Sequence, residues 1–279
     1  MPIHDQGYKR YAGRRITGGR SWWVIARAGV LERVRERRFL GLLLLAWAPF
    51  VVRAVLLYAA ANVPQASFLA PSTETFREFL DQQGFFVFLV TIYVGSGLIA
   101  NDRRANALQL YLARPLTRLE YVVGKLATLV IFLIAVTWLP GMLLLFLQMM
   151  FAGSLAFVQA NLFLIPAITL FAAIQVLVSA MAMLALSSLS KSRRFVAMMY
   201  AGIIFFTAAM YQALRQITQS DAWAWISPQD TLDVIADAVF RIEAARAIPV
   251  PAAVLVVAIL LGVSAWLIAR HVRGVEVVA

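Results

Sequence analysis

Six predominantly apolar runs, each close to the length that spans a bilayer, constrain this chain more than any other feature. They cover residues 39–61, 84–100, 126–150, 164–189, 195–214 and 250–269. A helix of about 20 residues crosses the roughly 30 Å hydrocarbon core of a membrane. The composition agrees, because 62% of residues are hydrophobic and only 14% are charged. The sequence therefore predicts an all-α integral membrane protein with six transmembrane helices.

The positive charge is concentrated in the segments between alternate runs. The chain has 25 lysines and arginines against 14 aspartates and glutamates, a formal net charge of +11. Twenty of the basic residues lie within 1–38, 101–125 and 190–194 or follow the last run. Basic residues accumulate on the cytoplasmic side of a membrane. The pattern predicts that both termini are cytoplasmic, and it argues against nucleic-acid binding, because the charge marks the ends of spans.

The residue types exclude most kinds of catalytic or metal site. The chain has no cysteine, which rules out disulfides, thiolate metal sites and thiol nucleophiles. Its two histidines, His4 and His271, lie near the termini, so a histidine metal cluster or a Ser-His-Asp triad inside the membrane is not expected. The glycine-rich stretch at 13–21 departs from the phosphate-loop pattern, and no buried strand precedes it. We expect no catalytic residue, metal ion or cofactor on this chain.

The chain is predicted to form one membrane domain after a short N-terminal segment. Residues 1–38 are interpreted as a cytoplasmic tail followed by a helix, and residues 39–279 as the six-span domain. Between Ser21 and Arg38 apolar residues recur at helical spacing, along a stripe of Trp23, Ala26, Val30 and Val34. This pattern is typical of an interfacial amphipathic helix in the headgroup layer, although a helix packed against the rest of the protein is the alternative.

The cytoplasmic loop between the second and third runs carries the strongest local signals. From Asp102 to Ala113 it has helical periodicity, with one apolar face made of Ala105, Leu108 and Leu112. Pro115 disfavours helix at the residue before it and marks a break. Thr117 and Glu120 then have the spacing of a capping box, which begins the third helix. The sequence predicts a short helix and a rigid corner at the membrane surface.

This loop resembles that of the permease subunits of type 2 ABC exporters. Those proteins place here a charged start, a step of small residues, a leucine-rich stretch, an arginine–proline corner and a Gly-Lys pair. The matching residues are Asp102, Arg103, Ala105–Ala107, Leu108, Leu110, Leu112, Arg114, Pro115, Arg118, Gly124 and Lys125. Two positions depart from the pattern, since Asn101 stands where an acid is common and Asn106 lies within a step that is often Gly-Thr. The six runs and the N-terminal helix extend the resemblance over most of the chain.

The resemblance implies a function and a set of partners. The chain would be the permease of an ATP-driven exporter in a prokaryotic cytoplasmic membrane, surrounded by lipid and paired with a second permease subunit, identical or related. ATP and Mg²⁺ would be held by a separate ATP-binding subunit, so this chain would not be an enzyme. Residues 101–120 would form the coupling helix that docks on that subunit. The implied contact residues are Asp102, Arg103, Arg104, Leu108, Leu112, Arg114, Pro115, Arg118 and Glu120.

An acidic pattern before the last run supports an alternative function. Ser227 and Pro228 are suited to begin a helix, and Asp230, Asp233 and Asp237 fall on one face of it. This spacing resembles the Mg²⁺-binding motif of intramembrane prenyltransferases. Against that alternative, the chain has no second aspartate cluster, the charge pattern places the segment outside, and six spans are fewer than that family has. We therefore predict an outer amphipathic helix before the sixth span.

Polar residues within the predicted spans are candidates for a translocation path. Arg53 lies in the outer part of the first span, where it either reaches the headgroups or lines the path. Glutamine amides either line a path or join helices. The candidate residues are Arg53, Gln148, Gln175 and Gln212. Pro140 additionally predicts a kink in the third span.

Overall fold

The fold consists of helices that cross the molecule in alternating directions. The computed structural model describes residues 21–63, 65, 71–107, 117–152 and 156–272, and these contain no β-strand. Six helical segments are long and apolar enough to cross a membrane. Spans 1 to 6 are Arg37–Asn62, Thr73–Arg104, Arg118–Phe151, Leu164–Leu189, Arg193–Thr218 and Val250–His271. The predicted all-α membrane fold with six spans is thus confirmed.

The two ends of the helix bundle differ in charge. We call the end where spans 1, 3 and 5 begin the basic end, since the first residues of these spans are Arg37, Arg118 and Arg193. Spans 2, 4 and 6 finish at this same end, because successive spans alternate in direction. The opposite end, here called the acidic end, holds the helix Pro228–Val239 with its three aspartates, which we call the acidic helix.

Span 4 lies at the centre of the bundle and contacts spans 2, 3, 5 and 6. In its most apolar stretch 61% of the residues are buried, against 11% for span 1 and 17% for span 5. Its bounds are those predicted from the sequence. Apolar side chains from the central spans form one core towards the basic end, around Leu133 and Met183, and another towards the acidic end, around Leu144 and Phe171.

Spans 2 and 3 are longer than their apolar runs. Span 2 begins at Thr73 rather than near residue 84, and span 3 begins at Arg118 rather than near residue 126. Hydropathy does not register these extra turns because they are rich in polar residues. In span 2 the charged and amide residues of these turns are Glu74, Arg77, Glu78, Asp81, Gln82 and Gln83. The extensions matter because they carry the side chains that join the spans at each end.

Three spans are interrupted. Span 1 breaks at Trp47, just before Pro49, and span 3 breaks at Thr137. The break in span 3 precedes Pro140, as predicted, because proline has no N–H to continue the hydrogen-bond ladder. Span 2 changes from α-helix to a π-helical turn at Thr91–Gly95 and then to a turn at 96–99 before the short helix Ala100–Arg104. The break in span 2 leaves backbone N–H and C=O groups without partners in their own helix, so side chains of other spans must form hydrogen bonds with them.

The N-terminal helix, Ser21–Val34, packs against the first half of span 3. The predicted stripe is wrong at both ends, because Trp23 is 49% and Val34 is 41% exposed. The closest contact is made by two small residues, Ala26 of the predicted stripe and Gly29. A Cβ on Gly29 would lie 2.7 Å from Thr128 Oγ1, so the two helices approach more closely than bulkier residues allow. Packing on the protein, the alternative to an interfacial helix, therefore describes this face.

Candidate functional site

Asp102 connects the end of span 2 to the start of span 3. Its Oδ2 accepts a hydrogen bond from the Tyr121 hydroxyl at 2.7 Å and forms an ion pair with Lys125 Nζ, also at 2.7 Å. The side chains of Asp102 and Lys125 are only 17% and 14% exposed. The structure therefore places Asp102, predicted to contact a partner, in an internal contact.

The broken end of span 2 is fixed to span 4. The Ser187 hydroxyl accepts hydrogen bonds from the N–H groups of Ile99 and Ala100, at 3.1 and 3.0 Å, and donates to the Ser96 carbonyl at 3.1 Å. A single buried side chain thus satisfies three backbone groups released by the turn. The Arg103 guanidinium donates to the backbone carbonyl of Ser188, at the end of span 4. Arg103, like Asp102, therefore makes its contact within the chain.

Glu36 links the N-terminal helix to the same region. Its carboxylate accepts from Arg33 Nη1 at 2.6 Å and from the Tyr93 hydroxyl at 2.8 Å. The carbonyl of Tyr93, at the π-helical turn, accepts from Arg193 of span 5 at 2.7 Å. Burial acts to raise the pKa of Glu36, but the Tyr93 hydrogen bond and the Arg33 charge outweigh it, so the pKa lies below its ordinary value.

The helix that begins this loop is interrupted at residues 105–106, within the predicted range, and the chain is helical again at Ala107. The first helical part stops at Arg104, and Asn106 adopts a left-handed backbone with φ of 51°. Asparagine tolerates this conformation better than most residues, so it is suited to end a helix. The predicted continuous helix from Asp102 to Ala113 is therefore wrong at this point. The predicted contact residues Leu108, Leu112, Arg114 and Pro115 lie outside the described part of the chain.

After the loop, the corner is built as predicted. The Thr117 N–H donates to Glu120 Oε2 at 2.9 Å, and the Glu120 N–H donates to Thr117 Oγ1 at 3.2 Å. This capping box confirms the predicted start of the third helix and gives Glu120 a structural role. Arg118, within the box, points away from the protein, and Leu119 is 73% exposed. Sequence reasoning missed Leu119, although a leucine in the first turn beside two charged residues is a usable signal.

Residues 101–120 thus separate into two sets. Asp102, Arg103 and Glu120 make internal contacts that hold the segment against spans 3 and 4. Arg104, Arg118 and Leu119 are exposed, and neither arginine forms an ion pair with any residue in the described ranges. We call these three residues the exposed basic surface. The arrangement is a rigid support with a positively charged, partly apolar face.

At the acidic end, a buried ion-pair network surrounds the acidic helix. Arg77 of span 2 contacts Asp233 at 3.2 Å and Asp237 at 2.9 Å. Arg246, from the segment before span 6, contacts both Asp230 and Asp233 at 2.8 Å. The three aspartates are 9% exposed or less. The helix begins at the predicted Ser227 cap, and Arg77 of span 2 and Arg246 cover its aspartates.

This network does not favour the prenyltransferase alternative. Each aspartate carboxylate already faces a guanidinium, whereas Mg²⁺ needs free carboxylate oxygens. Within the described ranges no three aspartate, glutamate, histidine or cysteine side chains are grouped to hold a metal. Burial raises the pKa of Asp233 from 3.8 to about 6, with Arg246 and Arg77 acting in the opposite direction. The ion pairs of this cluster hold span 2 and the segment before span 6 against the acidic helix, which is a structural role.

Comparison with known protein families decides the identity of this six-span bundle. The family model described as ABC-2 family transporter protein matches residues 23–271, which include most of the N-terminal helix and all six spans. The chain belongs to the ABC-2 transporter family. No curated protein matches it significantly. The family match and the six apolar helices together show that the chain is a multi-pass membrane protein and the permease of an ABC transporter.

The candidate path residues of the permease lie in different environments. The Arg53 guanidinium forms an ion pair with Glu78 at 3.1 Å and donates to the Thr75 carbonyl at 3.2 Å, so it joins span 1 to span 2. Gln148 is buried, 6% exposed, in span 3, and Gln212 is exposed on span 5. Gln175, in span 4, is 2% exposed and lines an internal cavity. The structure does not bring these four side chains together.

Proposed function

We propose that the permease receives the force of ATP hydrolysis from a separate ATP-binding subunit through residues 101–120, and that its docking face is the exposed basic surface. The observation that supports this proposal is the separation of roles within the segment. Asp102, Arg103 and Glu120 are used internally, while Arg104, Arg118 and Leu119 are left exposed. Exposed arginines beside an apolar side chain are typical of protein interfaces.

The support behind this surface explains how movement would be transmitted. The segment is fixed to span 3 through Asp102 and to span 4 through Ser187. A displacement of the docking face would therefore move two central spans together rather than deform a loop. ATP and Mg²⁺ belong to the ATP-binding subunit, and this chain contributes no catalytic residue.

Export also requires a path that opens alternately to each side. We propose that two permease subunits face one another and form it, since six helices are few for a translocation path. Spans 1 and 5 have the fewest buried residues, so they offer the most surface to a second subunit. The basic end would face the cytoplasm of a prokaryotic cell, in agreement with its excess of lysine and arginine, and both termini would lie there.

The test is charge reversal on the exposed basic surface. The double variant Arg104→Glu/Arg118→Glu should reduce recovery of the ATP-binding subunit on purification at least about tenfold, because like charges at an interface cost several kcal/mol. Membrane insertion should be unchanged, since neither side chain packs inside the protein.

A matched control is Arg35→Glu, which reverses an exposed arginine on the turn before span 1. This variant should retain the ATP-binding subunit at the wild-type level. Equal recovery with the double variant and the wild type would overturn the proposed docking face.

A further inference from the structure

A cavity of about 180 Å³ lies between spans 2, 4, 5 and 6, beneath the acidic helix. Its wall is mostly apolar, and none of the residues that line it is charged. Representative apolar lining residues are Val87, Phe88, Val178, Leu232 and Leu267. An engineered apolar cavity of about 150 Å³ is large enough to bind benzene. The volume here therefore accommodates one ring or a short segment of acyl chain.

Five polar side chains interrupt this apolar wall: Gln175, Ser179, Tyr200, Gln229 and Ser264. Gln175 is 2% exposed, and its Oε1 accepts no hydrogen bond from any residue that the structure describes. A buried acceptor without a partner destabilises a protein, and such groups are normally satisfied by protein, water or ligand. The Gln175 amide therefore marks one position in the cavity where a hydrogen-bonding group is missing.

Gly84 of span 2 keeps space open beside the two amides. A Cβ at this position would lie 3.3 Å from Gln229 Nε2 and 3.4 Å from Gln175 Nε2. Any larger side chain would fill the polar corner of the cavity. The glycine thus places an open volume next to groups that accept and donate hydrogen bonds.

The cavity is reached from the bilayer. Spans 5 and 6 both pack on span 4 and on the acidic helix, but they make no substantial contact with each other. Ile203 of span 5 and Val263 of span 6 line the cavity and are 43% and 50% exposed. A molecule dissolved in the membrane can therefore enter between the two spans.

We propose that this cavity binds a neutral, lipid-soluble molecule that carries a hydroxyl or carboxamide group next to an apolar chain or ring. The apolar part lies against spans 4 and 6, and the polar group donates a hydrogen bond to Gln175 Oε1. The absence of charge from the lining excludes ionic headgroups, because an unpaired charge is not stable there. Binding of this kind does not depend on the proposed coupling to an ATP-binding subunit.

The experiment uses the full-length permease in phosphatidylcholine nanodiscs and two photoreactive probes. One is a long-chain alcohol with a diazirine on its chain, and the other is its methyl ether, which has no hydrogen-bond donor. After irradiation, mass spectrometry of peptides should locate the alcohol on spans 4 and 6 around Ser179 and Ser264.

Two variants test the cavity and its polar group separately. Gln175→Leu should lower labelling by the alcohol about three- to tenfold, the loss expected for one hydrogen bond, and change labelling by the ether less than about twofold. Gly84→Leu should abolish labelling by both probes, because its side chain fills the cavity. Gly262→Leu is the control, since a Cβ there meets no atom within 4 Å.

Two results would overturn the proposal. One is labelling of spans 4 and 6 that Gly84→Leu and Gly262→Leu leave at the same level. The other is an equal response of the alcohol and the ether to Gln175→Leu, a variant that keeps the side-chain volume and removes a buried unpaired group. Failure of the charge-reversal test at the basic end would leave this result unaffected, so the two proposals are distinguishable.

Discussion

The two ends of the permease handle charge differently. At the acidic end, Arg77 and Arg246 pair with Asp230, Asp233 and Asp237; the aspartates are buried, and the two arginines are largely covered by the chain. The basic end has an internal part, around Asp102 and Lys125, and beyond it the exposed basic surface, whose charges have no acidic partner among the described residues. A network in which every buried charge faces an opposite charge joins helices, whereas an exposed surface without such partners is available to another protein.

The physical reason is the cost of burying charge. An ion taken out of water is stable only if an opposite charge and good hydrogen bonds replace its hydration, so a buried cluster must be nearly complete. An exposed charge keeps its water and carries no such requirement. At the acidic end every buried aspartate has an arginine partner, which indicates a structural role. The exposed arginines at the basic end have no acidic partner among the described residues, which indicates a surface that is open to another protein.

The largest predicted effect comes from removing Arg77. The Arg77→Met variant leaves Asp233 and Asp237 buried without that guanidinium and should lower the free energy of unfolding by about 3–5 kcal/mol. The measurement is unfolding of the purified permease in mixed micelles with increasing sodium dodecyl sulfate.

Arg53→Met is the matched control for this prediction. It removes an arginine at the same end whose partner, Glu78, is 62% exposed, so it should cost less than about 1 kcal/mol. If the two variants lose equal stability, the acidic-end network does not have this structural role.

A smaller effect is predicted for Ser187 at the basic end. Ser187→Ala removes the acceptor for the N–H groups of Ile99 and Ala100 and should cost about 1–3 kcal/mol in the same unfolding assay. The adjacent Ser188→Ala is an internal control, because Ser188 is equally buried but its hydroxyl bonds only within its own helix. A similar loss from both would show that Ser187 does not hold the broken end of span 2.

The smallest predicted effect is a difference in pH dependence between the ends. The raised pKa of Asp233 means that the folded state takes up a proton between about pH 6 and 4 that the unfolded state does not. Wild type should therefore gain stability relative to Asp233→Asn as the pH falls through this range. Glu36, whose pKa is lowered, acts with the opposite sign, and wild type should lose stability relative to Glu36→Gln as the pH falls below about 4.5.

These pH curves are measured as unfolding midpoints for each variant beside the wild type between about pH 3 and 7. Parallel curves for wild type and Asp233→Asn would contradict the burial-driven shift at the acidic end. A curve for Glu36→Gln that runs opposite to the stated direction would contradict the role of Tyr93 and Arg33 at the basic end.

Local signals in the sequence correctly predicted two helix caps and the bounds of one span. Thr117 and Glu120 form the capping box that their spacing predicts, and Ser227 caps the acidic helix as expected. The apolar run at 164–189 coincides with span 4. These features succeed because the interactions lie within one helical turn or depend on length and composition alone.

Contacts between residues that are distant in the chain could not be predicted from local sequence patterns. The sequence places Asp233 on a helix face but does not show that Arg77, far away in the chain, covers it. The stripe expected on the N-terminal helix was wrong at Trp23 and Val34, and it missed the close contact of Gly29 with span 3, because hydropathy does not distinguish a glycine at a contact from one at the surface. Asp102 and Arg103 belong to a recognisable motif, yet the motif does not separate residues that face inward from those that face outward.

The sequence by itself therefore determined that this protein is an all-helical membrane protein of six spans, because apolar length and composition follow directly from the lipid environment. The family motif between spans 2 and 3 also marked the region that we assign to coupling. Only the tertiary structure decided which charges in that region are free, which carboxylates are paired and where a cavity remains. Those properties depend on contacts between spans that are distant in the chain, and no local pattern encodes them.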